Sequence, residues 1–460
     1  MKETSAMLPH AVEAFARPWG RFGYSFGRRF FLLIGVGLVW LVPIFINRRF
    51  AYAMLLWDLL VLLGWAADLV SLPKPGLLQV QRIWHSPLSL ATETQVEISI
   101  SSKAKATLHV ELRDDVPSEL NHRPGQTRFM IPPPSGQSSG TYTVKPRKRG
   151  EAIVGQVYLQ YQTSMRLAER WAAADLKQKV VVYPDLREAR RQAMFLMQSR
   201  QFDLEKRLSR SRGAGHSFES LREYREGDDF SDICWTATAR RGKLVTRLYE
   251  LEKSQTIWLV LDTGRLMRTY VASLSKLDYA ISAGLALAQV ALLTGDRVGL
   301  LAYARSIQSR VPPERGTAQL RQVLEALALV REDVSEADHL QAASRLMRDQ
   351  KRRSMVVWIT DLAETAMTPE VIEAASTLVS RHLVLFVVIG QPDLRMAAVR
   401  SPQNVAEMYE VSAAQEILHR RELLLARLRE RGALAVEAES AALAPLLVNS
   451  YLEVKQKSLL

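Results

Sequence analysis

Two apolar runs dominate the first part of the chain. Phe30 to Ile46 reads FFLLIGVGLVWLVPIFI without a charge, and Ala51 to Leu72 reads AYAMLLWDLLVLLGWAADLVSL. A helix needs about 20 apolar residues to cross a bilayer core. Only Asn47 to Phe50 separates the two runs, so the pattern predicts a tight two-helix transmembrane hairpin over residues 30–72. Pro43 predicts a kink in the first arm, because proline lacks the N–H that a helix interior uses. The first run begins too far from the N-terminus, and lacks the small-residue cleavage site, for a signal peptide. Asp68, near the exit of the second arm, is expected to reach water. Asp58 lies deeper and is expected to snorkel or to pair with Arg48 or Arg49. Trp40, Trp57 and Trp65 read equally well as interfacial anchors or as lipid-facing residues.

From about Gln79 to Tyr183 the period changes. Segments such as TQVEISISS, ATLHVELRD and EAIVGQVYLQYQ alternate apolar with polar, and turn clusters such as NHRPGQ and PPPSGQSSG separate them. Alternation marks strands with one buried face, and several at regular spacing predict an antiparallel β-sandwich. Asp185 to about Ser254 is highly charged and carries few periodic apolar residues until its end. From Gln255 the apolar strands TIWLVLD, RVGLLAY, SMVVWITD, HLVLFVVIG and ALAVEAE alternate with helical sequence. Continuous apolar strands alternating with helices predict a mostly parallel, doubly wound α/β sheet covered on both faces. The expected organisation is an N-terminal cytoplasmic segment over 1–29, the hairpin over 30–72, the β-sandwich over 73–186, a charged connector over 187–254 and the α/β domain over 255–460.

Composition changes this picture little. The chain has 61 Lys+Arg against 48 Asp+Glu, a formal net charge of +13. Arginines are scattered and often stand beside glutamates, and no long basic run is interleaved with aromatics. Anionic lipid therefore accounts for the charge better than nucleic acid does. Arg17, Arg21, Arg28 and Arg29 precede the first arm, Lys74 and Arg82 follow the second, and Arg48 and Arg49 lie in the loop. The positive-inside rule then places both termini and the soluble domains in the cytoplasm, with two helices in the inner membrane. The single cysteine, Cys234, excludes an intrachain disulfide and a Cys-based zinc site.

The segment Gly213 to Glu252 carries a recognisable signature. In order it supplies Gly213, Gly215, Phe218, Leu221, Arg222, Glu223, Tyr224, Gly227, Asp228, Asp229, Ile233, Trp235, Ala239, Arg240, Gly242 and Leu244. This series resembles the membrane-protein family labelled domain of unknown function fifty-eight. Two departures stand out: Phe218-Glu219 reverses the family's usual Glu-Phe, and Cys234 stands where the family commonly has Asp. The resemblance implies a Rossmann-like, von Willebrand factor A-like domain after the signature and genetic pairing with MoxR-type AAA+ ATPases. It implies no established enzymatic activity.

Von Willebrand A domains can hold Mg²⁺ at their strand ends with Asp-x-Ser-x-Ser, a loop Thr and a second Asp. The corresponding set here is Asp262, Thr317 and Asp361, with Thr263 and Thr360 expected to point elsewhere. Gly264 and Leu266 occupy the two Ser positions and offer no side-chain oxygen, and Arg265 stands beside them. Mg²⁺ requires near-octahedral oxygen ligation. The set is therefore degenerate: no cofactor is expected, or at most a weakly held Mg²⁺. Asp262 and Asp361 would instead cap turns or pair with Arg265 or Arg268, or a partner's carboxylate would complete the site.

No phosphate loop, dinucleotide fingerprint or nucleophile elbow is present. Arg222, Glu223, Tyr224, Gly227, Asp228, Asp229, Trp235 and Arg240 are the expected partner-binding residues. A charged turn locked against the α/β domain, or an acid pair at Asp228 and Asp229, are the other readings of that segment. Taken together, the sequence predicts a non-enzymatic membrane-anchored adaptor or assembly and maturation factor that binds proteins, acts with a MoxR-type AAA+ ATPase and contacts membrane lipid but no nucleic acid. The alternatives are a metal-dependent, hydrolase-like enzyme using Asp262 and Asp361, and an envelope scaffold using the β-sandwich.

Overall fold

Strands with every second residue buried make up most of the first of two units, Met1–Tyr183; the second is Pro184–Leu460. The computed structural model describes residues 9, 11–20, 23–44, 47–102, 107–123, 128–132, 136–185, 191, 217–225, 230, 233–250, 254–362 and 368–457.

In the first unit, Val157–Thr163 (VYLQYQT) and Leu78–Trp84 (LQVQRIW) bury each odd position of the strand. Burying those faces against each other drives the layering. One sheet runs Val12–Phe15, Leu78–Trp84, Thr94–Ser102, Gln137–Val144, His122–Arg123. The other runs Arg17–Pro18, Ala168–Ala174, Val157–Thr163, Leu108–Asp114, Arg128–Ile131, with Tyr24–Phe26 also on Ala168–Ala174. Val80, Ile98, Ile100, Leu112, Leu159 and Tyr161 are among the residues of the shared core. The first 29 residues are thus not a separate cytoplasmic segment, since three of the strands come from them.

Arg82 is also not a flanking surface charge. It is fully buried and paired with Asp114 through NH2 and Nε, and it donates to the carbonyls of Leu176 (2.7 Å) and Gly155 (3.1 Å). Every second position of Leu78–Trp84 faces the core, and Arg82 falls on that face.

The apolar runs form helices in this same unit. The first arm comprises a helix Arg28–Gly37, a 3-10 turn Leu38–Trp40 and a short helix Leu41–Ile44; the second is the single helix Phe50–Ser71. The irregular turn precedes Pro43, whose ring excludes the carbonyl four residues back. Gly37 lets the arms approach closely, because a Cβ there would come within 2.8 Å of Trp57 Cδ1 and 2.9 Å of Asp58 Oδ1. Asp58 makes no ion pair with Arg48 or Arg49, and its Oδ1 is buried without a hydrogen-bond partner. Asp68 does not face water either. It is buried, bonded by Thr163 Oγ1, and accepts on Oδ2 from the amides of Leu167 (2.9 Å) and Ala168 (2.8 Å).

Two helices among the described residues are long and apolar enough to cross a membrane, Phe50–Ser71 and Lys276–Leu293. Only 11% of the first one's apolar window is buried inside the protein, against 78% of the second's, which is a core helix of the α/β unit.

In the second unit the main sheet has six strands: β1 (Thr256–Asp262), β2 (Arg297–Tyr303), β3 (Ile307–Glu314), β4 (Met355–Thr360), β5 (Leu383–Gly390) and β6 (Leu434–Glu439). Their order is β3-β2-β1-β4-β5-β6, and every pairing is parallel except β2 with β3. β3, which the apolar pattern did not predict, contains Pro312 and Pro313 and lies at the edge, where a missing N–H is tolerated.

Helices cover both faces. Trp258, Val260, Val356, Trp358 and Phe386 pack with Leu346, Leu378 and Leu428 from three helices on one side. On the other, Gly284 of Lys276–Leu293 lies against Leu259 and Leu261, the residues of opposite parity in β1. The strands Ser217–Glu223 and Val245–Glu250 form a separate two-stranded antiparallel sheet that contains part of the signature.

Candidate functional site

The carboxyl edge of the six-stranded sheet is where such folds place ligands, at the point where the strand order reverses. That point lies between β1 and β4. Asp262 ends β1 and Asp361 immediately follows β4, in parallel register set by Leu261 opposite Ile359. The two carboxylates therefore share one edge, and both are buried.

All four of their oxygens are engaged by the chain itself. Asp262 Oδ1 accepts from the amide of Gly264 (2.7 Å) and Oδ2 from the hydroxyl of Thr360 (2.6 Å). Thr360, expected to point away, thus turns into the site, whereas Thr263 bonds the carbonyl of Tyr303 (3.0 Å). Asp361 Oδ2 is 2.5 Å from Lys276 Nζ, and Oδ1 is 3.0 Å from Arg421 NH2. Arg421 also bonds the carbonyl of Leu362 and reaches Glu437 Oε1 at 3.0 Å. Glu437 is held in turn by Arg395 at 3.3 Å.

Sequence reasoning missed Lys276 and Arg421. Lys276 is the first residue of a helix capped by Ser275 and Asp278, and Arg421 lies in the long helix Val405–Glu430. Both are almost wholly buried. A lysine at a helix start and one arginine in an Arg/Glu-rich helix carry no local signal of burial. Arg265, an expected partner of the two aspartates, instead faces Glu336 at 3.4 Å with both side chains largely exposed.

Burial pushes the Asp262 carboxyl up to about 6, against the opposing hydrogen bonds from Thr360 and Gly264, and the charge of Asp361 adds to the rise. Burial likewise holds the Lys276 ammonium below its ordinary value, opposed by Asp361. Two cationic side chains thus stand where a divalent cation would neutralise the carboxylates, and these residues do not fit such an ion. Serine at position 264 would not restore a ligand freely, since its Cβ would lie 3.1 Å from both Ala337 N and Asp262 Oδ1.

Thr317 does not join the set. β3 runs antiparallel to β2, with Glu314 opposite Val298 and Ile307 opposite Tyr303, so the exposed Thr317 just beyond β3 sits at the opposite edge of the sheet. Among the described residues, no group of three or more His, Cys, Asp or Glu side chains is arranged to hold a metal.

The signature residues form a second candidate surface. Glu223 is exposed and pairs with Lys243 at 3.2 Å, and the Tyr224 ring stacks on Phe230 with centroids 5.8 Å apart. Ile233, Cys234, Val245 and Thr246 are buried beneath. Trp235 opens the short helix Trp235–Arg241 and is 66% exposed, so it does not fasten the segment by burial; Phe230 is 71% exposed. Arg240 lies exposed on that helix, which Gly242 terminates in the left-handed conformation (φ 67°). Arg222 is half-buried in its strand. Gly227, Asp228 and Asp229 lie outside the described residues, as do Gly213, Gly215 and His216.

The architecture is that of a mostly parallel α/β unit whose ligand edge is closed by internal ion pairs. Residues 220–401 match the family model described as "Protein of unknown function DUF58", the family that the signature resembles. Comparison with curated proteins returns no match. Among solved structures, the chain is similar to the conserved hypothetical protein BatB from Bacteroides thetaiotaomicron, with 14% identity, 44% of this chain and 100% of that chain covered, and a TM-score of 0.29. It is similar to the vWF domain of the type V pili tip protein Mfa5 from Porphyromonas gingivalis, with 12% identity, 44% and 95% covered, and a TM-score of 0.26. A PapD-like domain of human CEP192 matches 21% of this chain and 77% of its own length at 9% identity, with a TM-score of 0.17.

Proposed function

We propose that this protein is a non-enzymatic, membrane-anchored adaptor that binds other proteins through its α/β unit and signature segment. The observation that carries this reading is the closed carboxyl edge. A general acid or base needs a free proton-transfer position, and a metal site needs free ligand oxygens. Here Gly264, Thr360, Lys276 and Arg421 take up those positions. In this reading the sheet is a doubly wound, von Willebrand A-like fold used for recognition and not for chemistry, without a cofactor. The exposed Trp235 and Phe230 supply the aromatic surface that interfaces favour.

The partner proposed is a MoxR-type AAA+ ATPase, on the strength of the family resemblance, with a role in assembling or maturing another complex. The hairpin would cross the inner membrane twice and hold the soluble units in the cytoplasm. Capture from solubilised membranes with the ATPase trapped in its ATP state, read by mass spectrometry, tests the partnership. Recovery of the ATPase with the wild-type chain, reduced for Trp235→Ala, is the expected result. Equal recovery with both, or none with either, would remove the proposal, and measurable hydrolytic turnover lost in Asp262→Ala would favour an enzyme instead.

A further inference from the structure

One turn holds the base of both hairpin helices. Residues 164–167 connect the strands Val157–Thr163 and Ala168–Ala174, and their backbone groups are divided between the two arms. Arg29, in the first turn of Arg28–Gly37, donates from NH1 to the carbonyls of Ser164 (3.2 Å) and Met165 (3.3 Å). Gly27 N donates to Leu167 O (2.7 Å). From the other arm, Asp68 takes the amides of Leu167 and Ala168. The turn therefore sits at the level where one helix begins and the other ends.

An aromatic cluster marks the same level. Phe26 stacks on Phe30 (4.4 Å) and lies tilted against Trp65 (4.7 Å), and Tyr24 lies 6.2 Å from Trp65, all between ring centroids. Tyr24 and Phe26 remain exposed, as interfacial aromatics do. Met165, at the tip of the turn, is 63% exposed.

Positive charge converges here without an acid to balance it. Arg166 follows Met165 in the left-handed backbone region (φ 58°) with its side chain exposed, and Arg28 is exposed at the helix start. None of Arg28, Arg29 and Arg166 has an acidic partner among the described residues. Asp68 is already occupied by Thr163, Leu167 and Ala168. The joint field of the arginines registers on His109, whose imidazole is held below its ordinary value by burial first and then by Arg166 and Arg29. The helix Arg28–Gly37 adds an uncapped N-terminus, with no side chain bonded to its first amides and no acid in its first turn. Such an end favours an anion.

We infer that Arg29 and Arg166, with Arg28 and the open helix end, form a site for the phosphate of an anionic phospholipid headgroup. The site lies on the side of the bilayer that faces the β-sandwich, and the inference rests on the membrane-anchored reading above. Arg29 spends NH1 on the turn and keeps its other N–H groups for the ligand. Guanidinium suits this role because it presents several donors to one phosphate. Negative lipid is concentrated on the cytoplasmic leaflet, where each basic residue near the surface strengthens attachment.

The test uses the full chain reconstituted into phosphatidylcholine vesicles containing a minor fraction of spin-labelled phosphatidylglycerol or, separately, spin-labelled phosphatidylcholine. The wild-type chain is expected to immobilise phosphatidylglycerol in excess of phosphatidylcholine. Arg166→Gln, which removes no hydrogen bond to the protein, should reduce the preference roughly five-fold, and Arg29→Gln with Arg166→Gln on the order of twenty-fold. Arg48→Gln with Arg49→Gln, in the loop at the far end of the hairpin, should leave it intact. A preference that is absent in the wild type, or unchanged in Arg166→Gln and in the double variant, overturns the site. Inorganic phosphate should not displace the lipid at millimolar concentration; displacement would identify a free oxyanion as the ligand and overturn the lipid assignment. Alkaline carbonate separates the two readings: a chain that it extracts from the vesicles is not anchored, whereas a retained chain without lipid preference loses only the headgroup site.

Discussion

Lys276 and Asp361 form a buried ion pair, Nζ to Oδ2 at 2.5 Å, although 85 positions separate them in the chain. Arg421 completes the neutralisation from the other oxygen. Removing one partner of a buried pair leaves a charge without compensation, which typically costs about 3–5 kcal/mol. Because Arg421 still pairs Asp361 when Lys276 is lost, Lys276→Ala should destabilise the α/β unit by up to that amount, measured by hydrogen exchange at the amides of β1 and β4. A loss below about 1 kcal/mol would mean that water or Arg421 alone suffices for Asp361.

The same closure predicts indifference to divalent cations. Millimolar Mg²⁺ should leave the melting temperature of the wild-type chain unchanged, because an entering ion would have to displace Lys276. Isothermal calorimetry on the detergent-solubilised chain, showing micromolar Mg²⁺ affinity lost in Asp262→Ala, would contradict the closed-edge description.

Asp262 predicts a pH dependence of its own. Its carboxyl titrates near 3.8 when the chain is unfolded and about 6 when buried, so between those values the folded state binds more protons. Stability contributed by this group is therefore present at low pH and lost as pH rises through about 6. A displacement of about two pH units corresponds to roughly 3 kcal/mol. Asp262→Asn can still accept from Gly264 and meet the Thr360 hydroxyl, so it should stabilise the unit by up to that amount at pH 7 and by nothing near pH 4. His339 works in the opposite sense. Burial holds its imidazole at about 4, so its contribution is lost as pH falls from its ordinary 6.5 toward 4. Comparing the Asn variant with the wild type at each pH cancels that second effect. A gain independent of pH would show that Asp262 is not the titrating group.

Trp235 separates interface from scaffold. Its indole is mostly exposed, so Trp235→Ala should leave the melting temperature within about 1 °C, since surface truncations seldom change stability by more than about 0.5 kcal/mol. If it anchors a partner, the loss in affinity should reach about 2 kcal/mol, or roughly thirty-fold. Unfolding of the signature segment in this variant would count against an interface role.

Asp68 makes a prediction about the hairpin. Asp68→Ala strands the buried amide of Ala168, the half-buried amide of Leu167 and the Thr163 hydroxyl, and a buried group left unsatisfied costs about 1–3 kcal/mol. The turn at 164–167 should then become sensitive to limited proteolysis while the rest of the sandwich stays protected. Resistance equal to that of the wild type would show that Arg29 and Gly27 hold the turn without it.

Periodicity made much of this architecture legible. Alternation located strands such as Val157–Thr163, and unbroken apolar runs located β1, β2, β4 and β5. The strand ends also identified Asp262 and Asp361. The remainder depended on contacts distant in sequence. Nothing local distinguishes Lys276 or Arg421 from exposed cations, because their burial is decided by Asp361 and Glu437 arriving from other strands. Thr317 was misplaced for a related reason. The edge strand β3, disguised by its two prolines, reverses the chain once more and carries the following helix to the far side of the sheet. Arg82 and Asp68 show the same limit, since charge near an apolar run reads as a flank until a partner such as Asp114 or Thr163 covers it.

The strands that precede the hairpin have a consequence for how the chain is made. Val12–Phe15 pairs with Leu78–Trp84 in one sheet, while Arg17–Pro18 and Tyr24–Phe26 pair with Ala168–Ala174 in the other. Polypeptide synthesised before the apolar runs is thus stitched to polypeptide synthesised well after them. A nascent chain that inserted only one of the two runs would leave these segments on opposite sides of the bilayer, unable to meet, with open sheet edges exposed to pairing with other chains. If the hairpin is inserted as proposed, completion of the sandwich would act as a check on that insertion: it could close only around an even number of crossings.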